Sequence, residues 1–556
     1  LVVLGTVLPF SEAILPLLDA FNTDPLVGTA QPRFANPVSD AICPLGRGTA
    51  GAGPVAWTAR LAMAKLPDVS LTAELLSACM LLRCEIVAAV ALERDVSTAV
   101  GAIALQLCKA RRRGFRSAVV NRAVVVLPPC GDSKAIDASG YSGLAAVAYP
   151  PVPAADAGTL LQRYPDHARA LAETERQPQC RWESLFSAAH PPHGTPRRLL
   201  LDCRGMGPMH NGTSQYILGL LDGLVSLDSA WRIEVQSRAP AAAFHELPIR
   251  YPQFRHFHGA PEGAYAAALM PHQPWAMPTV ADLHRSALDI VFNMLDTIAW
   301  DVIYAADERV ESTWQFVARY ASGLAYISTF TKDRVRFRFP VAQSVNEEVI
   351  YLSLAAEEHT RPAFRGAPEA GHVLLFGNAY DHKDIAPTLQ LLQDAFPLQD
   401  LIVLGGTPSS SPHLKVIASG QATDDDIHRL IATARAVVYP SYYEGFGLPV
   451  VESLAYGRPV LVRKSALWTE IAAHSRLPGA LIEFDDPLSL VESLGRVLAR
   501  LPTPPLPSAT ALGAQAGAHN WRDCAAQMIH LVEDCLARST FERWRDRDQV
   551  LRWAGL

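Results

Sequence analysis

The sequence predicts an α/β protein built on doubly wound parallel sheets, and three stretches carry that prediction. AVVYPSYYEGFGLPVVESLAYGRPVLV, from Ala436 to Val462, reads as strand, glycine loop, helix and strand. RRLLLD followed by CRGMGPMHNGT, from Arg197, gives a strand, a glycine-bearing loop and a helix start. HVLLFGNAYDHKDIAPTLQLL, from His372, does so again. Strands separated by helices need crossover connections, hence parallel sheets, and ligands of such sheets bind at the carboxyl ends of the strands.

With 556 residues, 49% of them hydrophobic and 19% charged, the chain can bury several cores, roughly three or four domains. The 49 basic and 55 acidic residues nearly cancel, which argues against a general nucleic-acid binder. Cys43, Cys79, Cys84, Cys108, Cys130, Cys180, Cys203, Cys524 and Cys535 are scattered without a C-x-x-C or zinc spacing. They read as reduced core thiols and point to a cytosolic chain. No run approaches the roughly 20 apolar residues of a membrane span. The opening LVVLGTVLPF lacks a basic leader, and its start at Leu1 is consistent with a piece of something longer.

Four units are expected. Residues 1–130 form an α/β unit with a strand at Leu1 to Leu4, a helical stretch from Ser11 to Phe21 and a loop-like DPLVGTAQPRF from Asp24. Residues 131–195 are a connector, broken by Pro150, Pro151, Pro153, Pro191, Pro192 and Pro196 around one amphipathic segment, Thr159 to Glu175. A first Rossmann-like domain fills 196–350, with Tyr216, Ile217, Leu220, Leu221 and Leu224 on the buried face of its first helix. A second fills 351–556 and closes with one amphipathic helical stretch from Trp521 to Trp553.

The chemistry concentrates between Ala436 and Glu470. Pro449 is expected to open a helix, Gly457 to stop it in the left-handed region, and Val450, Val451 and Leu454 to face the core. A helix start after small residues presents amides and a positive dipole end to an anion such as a diphosphate. Two carboxylates bracket that loop: Glu452 is placed to accept from ribose hydroxyls and Glu444 to hold a sugar hydroxyl. The E-x7-E spacing alone is common, and ordinary solvated acids would satisfy it. Lys383 stands at another helix start, with Asp384 as its expected cap and Pro387 tolerated in the first turn.

The filling between the acids, EGFGLPVVE and then SLAYGRPV, resembles the signature of family 4 retaining glycosyltransferases of GT-B fold. The resemblance implies that Glu444 lies against the donor sugar and Glu452 binds the nucleotide ribose. It assigns Gly445, Phe446, Gly447, Leu448, Gly377 and Asn378 to donor binding. His382-Lys383 matches the family's lysine that neutralises the leaving group, which makes Lys383 and Glu444 the expected catalytic pair. An arginine often follows the strand glycine; here the position is Asn378. Gly212 and Asp296 are expected at the acceptor side of the cleft, and Leu295-Asp296 stands where the family has a His-Asp pair. Ser328 is expected to cap a helix, Glu470 matches a trailing acidic residue, TPSSSP replaces an inserted helix, and the terminal helix should cross back to the first domain.

Residues 1–130 resemble the second half of a family 2 glycosyltransferase domain of GT-A fold through VVL, DPLVGT, ACMLLRCE and ARRRGFR. The expected metal-binding acids fall on Gly5, Thr6 and Val7, and a later acidic pair on Ala102 and Ile103. A GT-A enzyme needs such carboxylates, so this unit reads as degenerate and structural. Arg111, Arg112, Arg113 and Arg116 read as a solvated helix face.

The resemblance implies a retaining hexosyltransferase that uses a nucleotide-diphosphate sugar and neither metal nor other cofactor. The acceptor would be a glycan or a lipid-linked oligosaccharide in polysaccharide or O-antigen assembly, and analogy of context suggests GDP-mannose as donor. Peripheral association with the inner membrane or with other glycan-assembly enzymes stays open. Two alternatives remain: a non-catalytic carbohydrate-binding or scaffolding protein, favoured by the missing His and Arg, and a sugar-nucleotide epimerase.

Overall fold

The structure is a computed structural model. It describes residues 2–3, 11–36, 41–43, 66–73, 77–89, 96–126, 152–175, 185, 188–189, 191, 196–304, 306–354, 371–378, 380–406, 409–475, 477–500 and 519–556.

Among the described residues the first unit carries six strands: β1 (Val2–Val3), β2 (Val27–Asn36), β3 (Ala41–Cys43), β4 (Val69–Thr72), β5 (Cys79–Leu82) and β6 (Arg116–Val126), in the order β1-β5-β2-β6-β4 with β3 beside β2. The segment expected as a loop, DPLVGTAQPRF, is instead the central strand β2. Its turn signals are absorbed by packing: Val27 through Phe34 are all buried, and Gly28 leaves the space taken by Ile86 and Phe115. Pro32 sits at a register shift against β6, where a ladder tolerates it. Ala102 and Ile103 lie inside the helix Ala99–Arg112, whereas Gly5, Thr6 and Val7 are outside the described residues.

The connector does not stand apart from this unit. Its amphipathic segment is two helices, Ala154–Arg163 and Pro165–Glu175, because Pro165 disfavours helical backbone at Tyr164 and opens a new helix. Asp156 accepts hydrogen bonds from the Ser97 and Thr98 amides at 2.7 and 3.1 Å. Leu160 and Tyr164 pack with Met80, Leu105 and Cys108. Arg112 is exposed, as expected, and also lies over the Tyr164 ring and bonds the Arg163 carbonyl at 2.9 Å and Asp166 at 3.1 Å.

Two seven-stranded sheets follow. The first holds β7 (Arg197–Asp202), β8 (Trp231–Gln236), β9 (Arg255–Phe257), β10 (Tyr265–Met270), β11 (Ala287–Met294), β12 (Gly323–Tyr326) and β13 (Asn346–Val349). All its pairs are parallel, in the order β13-β12-β11-β10-β7-β8-β9. Every residue of β10 and β11 is buried, as expected when helices cover both faces. The second holds β14 (Val373–Phe376), β15 (Leu401–Leu404), β16 (Ser409–Ser411), β17 (Leu414–Ile417), β18 (Ala436–Tyr439), β19 (Val460–Arg463) and β20 (Leu481–Phe484), ordered β16-β17-β15-β14-β18-β19-β20. Ser409–Ser411 of the shortened TPSSSP segment form β16, antiparallel to β17. Two Rossmann-like sheets in succession, the first wholly parallel and the second parallel except for β16, make the GT-B arrangement.

The helical stretch expected at the end consists of two helices, Trp521–Ala537 and Phe541–Trp553, the second capped by Thr540. The first returns to the 196–350 domain, where Gly219 and Gly223 of the helix Gly212–Val225 let Trp521 approach; a Cβ at either glycine would collide with it. By packing, these helices belong with the first Rossmann-like domain although they follow the second in sequence. Cys79, Cys108, Cys203, Cys524 and Cys535 are buried free thiols, whereas Cys84, expected in a core, is exposed. No described helix is long and apolar enough to cross a membrane.

Candidate active site

β18 ends at Tyr439, and the loop that follows turns into the helix Leu448–Ala455 through Gly447, whose φ of 86° is left-handed. A Cβ there would lie 2.5 Å from the Trp468 ring. Leu448 is the first residue of this helix, so Pro449, expected first, is second; it still precedes the positions that need an amide bond. Gly457 closes the helix with φ 73°. No side chain caps the helix start; Pro449 has no N–H and the Val450 and Val451 amides bond the Gly447 carbonyl, which leaves the Leu448 amide for a ligand or water.

The loop is tied to the short 3-10 turn Asp381–Lys383. The His382 carbonyl accepts from the Tyr442 amide at 3.0 Å and from Ser441 Oγ at 3.2 Å. That tie brings the two expected catalytic residues together: Lys383 Nζ is ion-paired with Glu444 Oε1, and the two side chains are only 13% and 14% exposed. Lys383 Nζ also donates to the Tyr439 hydroxyl at 3.0 Å. Burial, and then the Glu444 carboxylate, push the Tyr439 phenol well above its ordinary pKa. It therefore stays protonated and donates to Glu444. Tyr439 escaped the sequence reading; its one signal was a tyrosine ending an apolar strand immediately before the glycine loop.

The remaining donor-side residues divide by what they offer. Gly377 passes the Ile385 side chain so closely that a Cβ would lie 2.6 Å from it. Asn378 closes a turn, its Oδ1 accepting from the Tyr380 amide at 2.9 Å. Phe446 is 3% exposed, in the core, so its side chain is withheld from the cleft and its backbone is what it presents. Leu448 is partly buried against the same core. Glu452 is half-buried in the second turn of the helix. Asp384 does not cap its helix: it is left-handed at φ 50°, and its carboxylate is ion-paired with Arg463 at the end of β19. Arg463 is thus an arginine at the strand ends that the sequence did not place.

The first domain meets this loop directly. Asp296, after β11, caps a turn by accepting from the Ile298 amide at 3.0 Å. Burial pushes its carboxyl up, the Ile298 bond opposes that, and the Glu444 and Lys383 charges both reach it. A Cβ on Gly445 would collide with the Leu295 carbonyl and sit 3.2 Å from Asp296 Cβ. Ser328 caps its helix by accepting from Thr331, and it donates to the Gly445 carbonyl at 2.8 Å. Glu470 accepts from the Thr329 and Phe330 amides at 2.6 and 2.9 Å and from the Tyr351 hydroxyl at 2.8 Å. Gly212 stands apart, opening its helix behind an Asn211/Ser214 capping box with nothing within 4 Å of a Cβ position.

A second polar group at the strand ends of the first domain was missed. Asp202, fully buried at the end of β7, holds Arg204 through two bonds of 2.9 Å. His272 Nε2 accepts from the Gly205 amide at 3.0 Å, so its proton sits on Nδ1, 3.0 Å from the Gln273 carbonyl. Burial lowers the His272 pKa and keeps it neutral. The PHQPW segment carries no spacing that marks it.

Residues 412–504 match the family model described as glycosyl transferases group 1. The chain is 34% identical over 113 residues to O-antigen chain mannosyltransferase B of Escherichia coli, covering 20% of this chain and 28% of that protein. It is 30% identical over 128 residues to the MMP alpha-(1->4)-mannosyltransferase of Mycolicibacterium hassiacum, covering 22% and 30%. It is 36% identical over 117 residues to the D-inositol 3-phosphate glycosyltransferase of Salinispora tropica, covering 21% and 23%. The match thus spans less than a third of the length of each of these relatives. Among solved structures, Anabaena Alr3699/HepE in complex with UDP and glucose gives a TM-score of 0.48 at 14% identity over 61% of this chain and all of that one. The second Rossmann-like domain, with Glu444, the glycine loop and Glu452 inside the matched segment, is therefore similar to the group 1 glycosyl transferases.

Proposed function

We propose that the chain is a retaining family 4 glycosyltransferase that moves a hexose, mannose in our reading, from a nucleotide-diphosphate sugar to a glycan or lipid-linked acceptor. The observation that carries this is the Lys383–Glu444 pair, with Tyr439 beneath it, on the loop that leads into the uncapped helix Leu448–Ala455. An ammonium and a helix start, with its positive dipole end and the Leu448 amide, suit a departing diphosphate, and such preorganised charge is worth several kcal/mol at a developing anion. Glu444 then lies beside the donor sugar and Glu452 takes the ribose hydroxyls. The acceptor enters from the side of Asp296, on the face the leaving group vacates, which gives retention. Because Lys383 and the helix supply the positive charge, the proposal needs no metal ion.

Two relatives named as mannosyltransferases, one of them for O-antigen chains, support mannose and a polysaccharide context. Residues 1–130 serve as a degenerate GT-A-like scaffold in this reading, supported by Ala102 and Ile103 on a helix where acids would be needed. A nucleotide-sugar donor supports a cytoplasmic location in this reading, with membrane-bound acceptors reached from there. The scaffolding alternative draws on Leu295 and Asn378 in place of the family's His and Arg.

The test is transfer itself: GDP-mannose and UDP-, ADP- and dTDP-hexoses offered with α-mannosyl oligosaccharide acceptors, the product read by NMR. An α-linked product from an α-linked donor supports the proposal. A β-linked product contradicts retention, and free epimerised sugar nucleotide would favour the epimerase.

A further inference from the structure

We infer that the first Rossmann-like domain carries a second, non-catalytic binding groove for a neutral oligosaccharide, on the side of the domain away from the cleft. The groove has a volume of about 1160 Å³ and lies between the helix Glu308–Tyr320, the segment 340–344 and the terminal helix Phe541–Trp553. Its walls are fixed at the amino ends of the strands. Arg543 donates to the Ala321 carbonyl just before β12, and Arg547 donates to the Leu288 carbonyl at the start of β11, at 3.0 Å. The cleft residues Asp202, His272 and Asp296 stand at the opposite, carboxyl ends of the same sheet.

The lining selects the ligand class. Gln315 and Gln343 offer side-chain amides, each both donor and acceptor. Three guanidiniums, Arg319, Arg538 and Arg543, stand with two carboxylates, Glu542 and Asp546, so the lining charges nearly cancel and neither a polyanion nor a polycation is strongly favoured. Tyr320, half-buried and backed by the core residue Phe316 at a centroid distance of 5.0 Å, is the aromatic ring at the groove wall, with the Arg319 guanidinium 5.7 Å from its centroid. Donors and acceptors beside apolar lining residues fit a chain of sugar rings, whose hydroxyls need both and whose C–H faces pack on apolar surface. The volume exceeds the roughly 300–1,000 Å³ of ordinary small-molecule sites, which suits several linked units.

The groove is independent of whether the cleft transfers a hexose, and the test keeps the two apart. Saturation-transfer NMR on the full chain, without sugar nucleotide, would screen neutral manno-, gluco-, galacto- and rhamno-oligosaccharides of four units, with inorganic phosphate as the charged control. At least one oligosaccharide should bind, with affinity reduced tenfold or more by Gln315→Ala combined with Gln343→Ala and by Arg538→Ala, and retained in the cleft variant Glu444→Ala. Each groove variant should keep the wild-type melting temperature and donor turnover. Binding by none of the panel, binding lost only in Glu444→Ala, or displacement by phosphate would overturn the proposal. Self-association of the chain abolished by the groove variants would overturn it too, by assigning the groove to a second copy.

Discussion

Thr297 and Tyr443 bond each other across the two Rossmann-like domains: the Tyr443 hydroxyl lies 2.8 Å from Thr297 Oγ1 and accepts from the Thr297 amide at 3.1 Å. Tyr443 immediately precedes Glu444, so the first domain reaches the donor-side carboxylate through one residue. Tyr443→Phe removes both bonds, each worth about 1 kcal/mol. Turnover should fall about tenfold, while the melting temperature moves by only a few degrees. Steady-state kinetics beside a thermal melt checks both.

Thr297 is itself held by Asp301, which also accepts from Arg334 at 2.6 and 3.0 Å and from Arg338 at 2.6 and 2.8 Å. Burial pushes the Asp301 carboxyl up, but the bonds from Arg334, Thr297 and Arg338 outweigh it and hold the pKa at about 2. A depressed folded pKa adds stability that is fully present above the unfolded value near 4 and is lost as pH falls toward 2. The side chain is 4% exposed, so the contribution is about 2 kcal/mol. Denaturant melts between pH 5 and 2 should show that loss in the wild type and a flatter profile in Asp301→Asn, which starts less stable.

Lys383 and Tyr439 separate charge from position. Lys383→Ala leaves Glu444 largely buried without its ammonium and removes the cation proposed for the diphosphate. Turnover should fall about 10²–10³-fold. Tyr439→Phe keeps the charge and loses one hydroxyl, so the drop should be about three- to tenfold. Equal losses in the two variants would show that the pair acts only as a structural unit.

Glycines predict opposite outcomes in one helix. Gly223→Ala drives a methyl into the Trp521 carbonyl and should cost about 1–3 kcal/mol of stability. Gly212→Ala adds a methyl to open space and should leave stability unchanged or raise it by up to about 1 kcal/mol. If Gly212 borders the acceptor, as the family resemblance implies, that same variant raises the acceptor KM. Thermal melts and acceptor titrations distinguish the two effects.

What the sequence disclosed depended on how local the signal was. The run Ala436 to Tyr439 and the helix behind Gly447 were readable because strand, turn and helix signals follow one another within a few residues. β2 was missed because Pro25, Gly28 and Pro32 read as turn chemistry, and only the burial of Val27 to Phe34 between helices and neighbouring strands overrides it. Asp384 looked like a cap, yet Arg463, 79 residues on, takes its carboxylate. The partnership of Lys383 with Tyr439 and the contact of Gly445 with Leu295 likewise join residues 56 and 150 positions apart. Such relationships exist only once the sheets are folded and face each other. The two terminal helices were legible as helices, whereas their place against Gly219 and Gly223 was not.

The most direct measurement is calorimetric titration of GDP and UDP, in EDTA, into the wild type, Lys383→Ala and Glu452→Ala. One nucleoside diphosphate should bind without metal, and each substitution should weaken it at least tenfold, Lys383 through the diphosphate and Glu452 through the ribose. Binding that requires a divalent ion, or that is unchanged in both variants, would contradict a donor site built from the Lys383–Glu444 pair and the Leu448–Ala455 helix.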